Sequence, residues 1–342
     1  MTLSGDIRDA IGRGAEFLSG AQLASGEFQV FTSTDPEMKE GCAPDPSIFP
    51  TALIAQSLAV VDEAAAALSG ALDFLLAEMD GDGLWRHWPR AHPYHRQLPP
   101  DLDDTSCAAS ALQAGGRVFP DHRALLLANR DARGLFFTWL TPRARWAGAA
   151  HARVALHQLR HPLTLFLFFQ RTSAAPRDVD SVVNANCLFH LGDHQGSEAI
   201  VEHLLAVLRA GAERDCDKWY DNPFAIWYFF SRALAGRSEE AGRIVVERLA
   251  NAAPATALEA AFAACALLRW RVRPSEDAIR SLLAAQLASG GWPRAALYHG
   301  GRPRLARGGF GAPHPDTPRW GSEELTTGFA LEALARWLDA DS

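Results

Sequence analysis

The sequence predicts an all-α protein: an (α/α)6 toroid in which six outer helices surround six inner ones. Three observations lead there. Helical segments of two different characters alternate strictly along the 342 residues, six of each. Nothing between them has the period-two pattern of a half-buried strand. Acidic residues recur at five of the six entrances to the inner set, which places those entrances on one shared rim.

The outer set is amphipathic, with one charged face. Its members are Asp6 to Ser19, Ala65 to Met79, Asp121 to Leu140 (with a break near Arg130 to Gly134), Ser197 to Ala210, Ser238 to Asn251 and Ser275 to Ala288. The inner set is small or apolar on most sides and carries few charges. It comprises Phe49 to Val61, Asp104 to Ala114, Ser181 to Leu191, Phe224 to Leu234, Thr256 to Trp270 and Leu325 to Leu338. No linker rich in Pro, Gly or Ser divides the chain, so residues 1–342 read as one domain. Within it, 142–176 is long enough to be a lid insertion, with His151, His157, His161 and the apolar run Leu163 to Phe169. Glycine-rich Gly300 to Gly311, with Arg302, Arg304 and Arg307, is expected to be mobile over the same rim.

The second inner entrance stands out. In Pro99-Pro100-Asp101-Leu102-Asp103-Asp104-Thr105, two prolines fix an extended approach and three carboxylates follow within four positions. A single Asp is an ordinary N-cap. Three crowded together repel one another, which favours keeping one protonated near neutral pH, while the helix N-terminus favours the anions, so the sequence leaves the sign of the net shift open. Asp178 and Asp180 double the next entrance. A rim of helix N-termini above a hollow is a natural pocket.

Composition excludes several classes. Net charge is −7 with scattered arginines, which argues against nucleic acid as a partner. The start MTLSGDIRDAIGRG lacks a signal-peptide pattern and no apolar run can span a bilayer, so a soluble, cytoplasmic protein is expected. Five cysteines without C-x-x-C spacing suit reduced thiols rather than disulfides or structural zinc. His87, His92 and His95 fit no metal-ligand spacing and read as solvated loop histidines. Asp215-Cys216-Asp217 lacks the histidine that a zinc site would need, and no phosphate loop or nucleophile elbow is present.

Three outer helices end alike: Gln22 before Gly26-Glu27-Phe28, Glu78 before Gly83-Leu84-Trp85, and Gln286 before Gly290-Gly291-Trp292. A glycine stops each helix, a polar side chain serves the freed backbone and an aromatic anchors the turn. These repeats resemble the QW motifs of squalene-hopene cyclases and related terpene cyclases. Asp101-Leu102-Asp103-Asp104-Thr105 resembles the D-x-D-D-T acid motif of the class II, protonation-initiated members. Trp320-Gly321-Ser322-Glu323-Glu324-Leu325-Thr326-Thr327 is similar to the last segment of prenyltransferase and squalene-cyclase repeat domains.

The resemblance implies a single catalytic barrel in which Asp103 protonates an alkene or epoxide while Asp101 and Asp104 tune it. Ring closure would pass through carbocations held by aromatic faces. Candidate substrate-binding residues are Asp178, Asp180, Asn184, Trp219, Phe49, Trp320 and the stripe Tyr220, Phe224, Trp227 and Tyr228. The expected substrate is a small isoprenoid: a sesqui- or diterpenoid diphosphate or a prenylated compound. No cofactor is required for protonation, and Mg2+, held at Asp178 and Asp180, is expected only for a diphosphate. The missing second barrel leaves the rim to be roofed by a homodimer or by a separate partner. Two other readings remain open: a glycoside-processing toroid using Asp103 and Asp180, and a non-catalytic isoprenoid-binding module.

Overall fold

The computed structural model describes residues 2–142, 149–159, 162–306 and 308–340, excepting the side chains of residues 150, 151, 157 and 158. Its helices are α1 (Leu3–Ala21), α2 (Ile48–Leu58), α3 (Ala65–Glu78), α4 (Leu102–Ala114), α5 (Arg123–Ala128), α6 (Ala149–Leu159), α7 (Pro162–Arg171), α8 (Ser181–Leu191), α9 (Ser197–Ala210), α10 (Pro223–Leu234), α11 (Glu239–Ala250), α12 (Ala257–Arg269), α13 (Glu276–Ala284) and α14 (Glu323–Asp339). Helices α2, α4, α8, α10, α12 and α14 pack in that order, and α14 returns to α2. That closes the inner ring of an α/α toroid.

The outer layer is α1, α3, α5, α9, α11 and α13. Its contacts run from α13 through α1 to α3 and from α9 to α11. The expected helix from Asp121 to Leu140 is only α5. Asp131 Oδ1 accepts from the N–H groups of Arg133 and Leu135, at 2.8 and 3.0 Å, and Gly134 lies at φ +92°. A local Asp turn thus ends the helix early.

The anchors between hairpins repeat. The N–H groups of Phe28, Trp85 and Trp292 donate to Thr51, Thr105 and Thr327 on inner helices, at 3.0, 3.1 and 3.0 Å. Gln22 Nε2 donates to Gly26 O and to Ala67 O of α3, both at 2.9 Å; Gln286 Nε2 donates to Gly290 O at 2.7 Å and to Ala10 O of α1 at 2.9 Å. Trp85 and Trp292 send their indole N–H back to Leu75 O and Leu282 O, each at 2.8 Å. Each anchor therefore ties three chain segments with bonds shielded from water.

Strands are present, contrary to the reading of the sequence. β1 (Phe31–Ser33), β2 (Ala43–Pro44), β3 (Tyr298–His299) and β4 (Arg319–Gly321) form an antiparallel sheet in the order β2-β1-β4-β3. Two- and three-residue strands have no periodicity to detect and exist only through pairing across the chain. The expected lid stretch holds α6 and α7. The His151 and His157 side chains and all of His161 lie outside the described residues.

Gly26 has φ +90°, and a Cβ there would collide with the Gly70 carbonyl. Gly26→Ala should therefore lower stability by about 3 kcal/mol in urea unfolding. Gln22→Ala, which removes only the paired bonds, should cost about 1–2 kcal/mol.

Candidate active site

The inner-helix N-termini open into a cavity of about 1090 Å³. Asp101, Asp103 and Asp104 share one wall with His87; Trp88, Trp139, Phe168, Trp219, Tyr220, Tyr298, Trp320 and Phe49 supply aromatic walls. Tyr298 stacks on Trp320 with centroids 5.2 Å apart and 7° between the planes, and Phe49 meets its edge. Trp139 contacts Phe168 and Trp219 edge to face.

Each member of the acid cluster has a different job in the fold. Asp101 is the N-cap of α4, accepting from the Asp104 N–H at 2.8 Å, and its strand-like pairing with Trp139 fixes the approach. Burial, then the Asp104 charge, raises the Asp101 carboxyl well above its usual range. Burial raises Asp104 to about 7, and its Oδ2 has no hydrogen-bond partner. Asp103 faces the cavity. Its Oδ1 accepts from Asn186 Nδ2 at 2.6 Å and its Oδ2 from the Tyr220 hydroxyl at 2.7 Å. Burial still raises its carboxyl, against the opposing pull of those two donors. Such a group keeps its proton in a dry setting yet has a stabilised conjugate base.

Asn186 is itself oriented. Arg232 Nη2 donates to Asn186 Oδ1 at 2.9 Å, which leaves the amide nitrogen to point at Asp103. Arg232 is 4% exposed, lies over Phe189 at 4.5 Å and reaches Gln56 Oε1. Deeper in the ring, Tyr228 and Ser57 donate to Glu332 Oε2. Burial works to raise the Glu332 carboxyl, but Arg336 and Arg269 overcome it and hold it at about 2.

The structure brings Asp101, Asp103, Asp104, Asp178, Trp219, Tyr220, Phe49 and Trp320 to the cavity. Five other candidates are not on its wall. Asn184 is sequestered in bonds to Phe136 and Asp180 backbone groups. Phe224 packs on Trp227, whose N–H donates to Glu213, and Tyr228 belongs to the Glu332 network. A stripe on one helix face thus divides between cavity and core, because Tyr220 precedes α10 and is turned by its own loop. Asp180 accepts from Thr138 Oγ1 at 2.6 Å and Trp219 Nε1 at 3.1 Å, while burial and Asp178 raise it to about 6.

Asp178 accepts from Lys218 Nζ and from the Ala175 N–H, each at 2.6 Å, so a magnesium ion at Asp178 and Asp180 would have to displace a buried ion pair. Among the described residues no cluster of three His, Cys, Asp or Glu could hold a metal ion. Off the wall, Asp180 also loses its place as the partner carboxylate of a glycoside pair.

Sequence reasoning missed several wall residues. His87 is not a solvated loop residue. Its ring lies edge-on to Trp88, Tyr298 and Trp320, 3.7 Å from Asp104 Oδ2, and burial lowers its pKa so that it is neutral. Its position three residues past Leu84 in the hairpin turn was the available signal. The glycine-rich loop is pinned by Arg302, which donates to Asp217 O and to Tyr220 O. Arg171, Arg177, Arg302 and Arg304 also line the cavity, as does Lys218, which is paired with Asp178.

The raised Asp104 carboxyl has a measurable consequence. Folded protein keeps a proton that unfolded chain releases, so burial of this group costs nothing below its ordinary 3.8 and progressively more as pH rises to about 7. Asp104→Asn should therefore flatten the loss of stability between pH 4 and 7, with a gain of a few kcal/mol at pH 8 by urea unfolding.

No protein-family model matches the sequence, and no curated protein matches it. Solved structures do. A protein from Actinoplanes aligns with TM-score 0.65 and 19% identity, covering 97% of this chain and 99% of that one. A variant of the type II terpene cyclase MstE from Scytonema, in complex with its substrate geranylgeranyl dihydroxybenzoate, aligns with TM-score 0.67 and 17% identity, covering 99% of each chain. Another MstE variant, holding the product merosterolic acid A, gives 0.69 and 15%, again over 99% of each. The chain thus has the α/α-toroid fold of the type II terpene cyclases.

Proposed function

We propose that this protein is a class II terpene cyclase that converts a linear prenyl compound into a cyclic isomer. One observation carries the reading: a protonatable carboxyl, Asp103, held by Asn186 and Tyr220 on the wall of an aromatic cavity. Asp103 gives its proton to the less substituted carbon of the chain's terminal double bond. The tertiary cation left behind is attacked by the next double bond, forming a carbon–carbon bond and a six-membered ring. Loss of a proton from the final cation restores neutrality, and water returns a proton to Asp103, so atoms and charge balance without a cofactor.

The chain's residues support each stage. Indole and phenyl faces of Trp139, Trp219, Phe168 and Trp88 offer cation–π surfaces without nucleophiles. Neutral His87 beside Asp104 adds no positive charge against a forming cation. Arg171, Arg177 and Arg304 on the cavity wall favour an anionic headgroup, as on a prenylated aromatic acid or a diphosphate. The volume accommodates a sesqui- or diterpenoid chain with that headgroup.

Asp103→Asn should lower turnover of farnesyl- or geranylgeranyl-bearing acids by about 10³-fold or more while circular dichroism stays unchanged. In deuterium oxide, wild-type product should gain one deuterium at the protonated carbon; unlabelled product, or turnover by Asp103→Asn, refutes the assignment. An isoprenoid-binding module would bind the chain and leave it unchanged.

Arg232 is a positioning residue, and its effect has a sign. Its charge lowers the Asp103 pKa, so Arg232→Met should move the alkaline limb of kcat to higher pH while kcat itself falls about tenfold or more. KM should change little, and Arg232→Lys should restore part of the loss; a variant that lost only stability would leave the limb in place.

A further inference from the structure

We propose that Asp45 and Asp180 are positioning residues that hold and polarise two cavity indoles, setting negative charge behind the aromatic faces that meet the reacting cation. The inference rests on the cyclase reading and extends it to two carboxylates that the cavity does not expose.

The observation is where the indole N–H groups go. Of the ten tryptophans, Trp88, Trp139, Trp219 and Trp320 line the cavity. Trp320 Nε1 donates to Asp45 Oδ2 at 2.7 Å, Trp219 Nε1 to Asp180 Oδ2 at 3.1 Å and Trp139 Nε1 to Asp178 Oδ2 at 3.4 Å. Elsewhere the acceptors are mostly neutral. Trp85, Trp292 and Trp337 donate to backbone carbonyls and Trp270 to the Ser231 hydroxyl; among the described tryptophans outside the cavity, only Trp227 reaches a carboxylate, that of Glu213. Anchoring an indole in this fold therefore needs no charge.

Helix capping does not account for Asp45 or Asp180. Asp180 is the N-cap of α8, but its side chain accepts no cap bond and turns to Trp219 and Thr138 instead. Its Oδ1 is buried without a partner and burial pushes its carboxyl up to about 6, a cost that a neutral hydroxyl acceptor would avoid. Asp45 precedes the α2 N-cap, which is Ser47. One Asp45 oxygen accepts from Trp320, and the other lies 3.2 Å from Nε2 of His92, whose ring stacks on Trp88 with centroids 4.9 Å apart. Asp178 differs from both, because the Lys218 ion pair balances its charge.

This placement suits carbocation chemistry. A hydrogen bond from an indole N–H to a carboxylate shifts electron density into the ring and strengthens its attraction for a cation at the face. A carboxylate on the wall itself would capture that cation. Asp45 and Asp180 stand off the wall while Trp320 and Trp219 line it, so their charge acts without exposing a nucleophile.

Two probes test this without turnover, at pH 8 where Asp180 is anionic: a decyl chain ending in trimethylammonium and its neutral tert-butyl isostere, each titrated by tryptophan fluorescence. The wild type should hold the cation more tightly than the isostere. Asp45→Asn and Asp180→Asn keep an oxygen for the indole but remove the charge; each should weaken the cation by about threefold to tenfold and leave the isostere unchanged. In a Trp320→Phe background, which has no indole N–H to polarise, Asp45→Asn should change cation binding by less than about twofold. A wild type without preference for the cation, Asn variants that bind the cation as wild type or lose both probes equally, or an undiminished Asp45→Asn effect in the Trp320→Phe background would overturn the proposal. Turnover separates the two readings. A wild type that cyclises its substrate but shows no preference refutes this inference alone, and one that shows the preference but cyclises nothing refutes the cyclase reading alone.

Discussion

The proposed chemistry depends on one constraint: a carboxyl must be dry enough to hold a proton and still part with it easily. Burial alone satisfies only the first half, since it raises Asp101, Asp103 and Asp104 alike. What separates Asp103 is that both its oxygens receive hydrogen bonds, from Asn186 and Tyr220. Those bonds favour its anion, whereas the Asp104 Oδ2 has no such support. Of three crowded carboxyls, Asp103 is therefore the one whose conjugate base the wall is built to receive.

That selection rests on groups far from the rim. Asn186 can present its nitrogen only because Arg232 occupies its oxygen, and Arg232 is packed against Phe189, Tyr228 and Phe229. The ionised Glu332, with Arg269 and Arg336, fixes the lower end of the same ring. Inner helices α4, α8, α10 and α14 thus share a polar spine inside an apolar barrel. Such a spine is costly unless fully bonded, which makes its geometry unique rather than adaptable.

Much of this was legible in the sequence, and the gaps have physical causes. Helix character repeats locally, so all six inner helices and five of six outer ones appear close to their observed ranges; the Asp131 turn, a side-chain competitor for backbone N–H groups, hid the shortness of α5. The acid cluster was visible because crowded carboxylates violate simple capping. Two neighbours of that cluster were not, since Arg232 and His87 come from other elements and look ordinary in their own. Tyr220, Phe224, Trp227 and Tyr228 share helical spacing, yet only the first reaches the cavity, because a period of 3.6 residues does not say which neighbour a face meets.

The short sheet and the pairing of α14 with α2 join segments nearly a whole chain apart. Every other neighbouring pair in the inner ring is made between consecutive hairpins, so those contacts can form as the chain lengthens. The last seam cannot. The hollow is therefore assembled late, by a loop closure spanning almost the entire polypeptide, and until then its greasy lining faces solvent. Such a molecule is exposed to sticking to its own kind during synthesis far more than its finished compactness suggests.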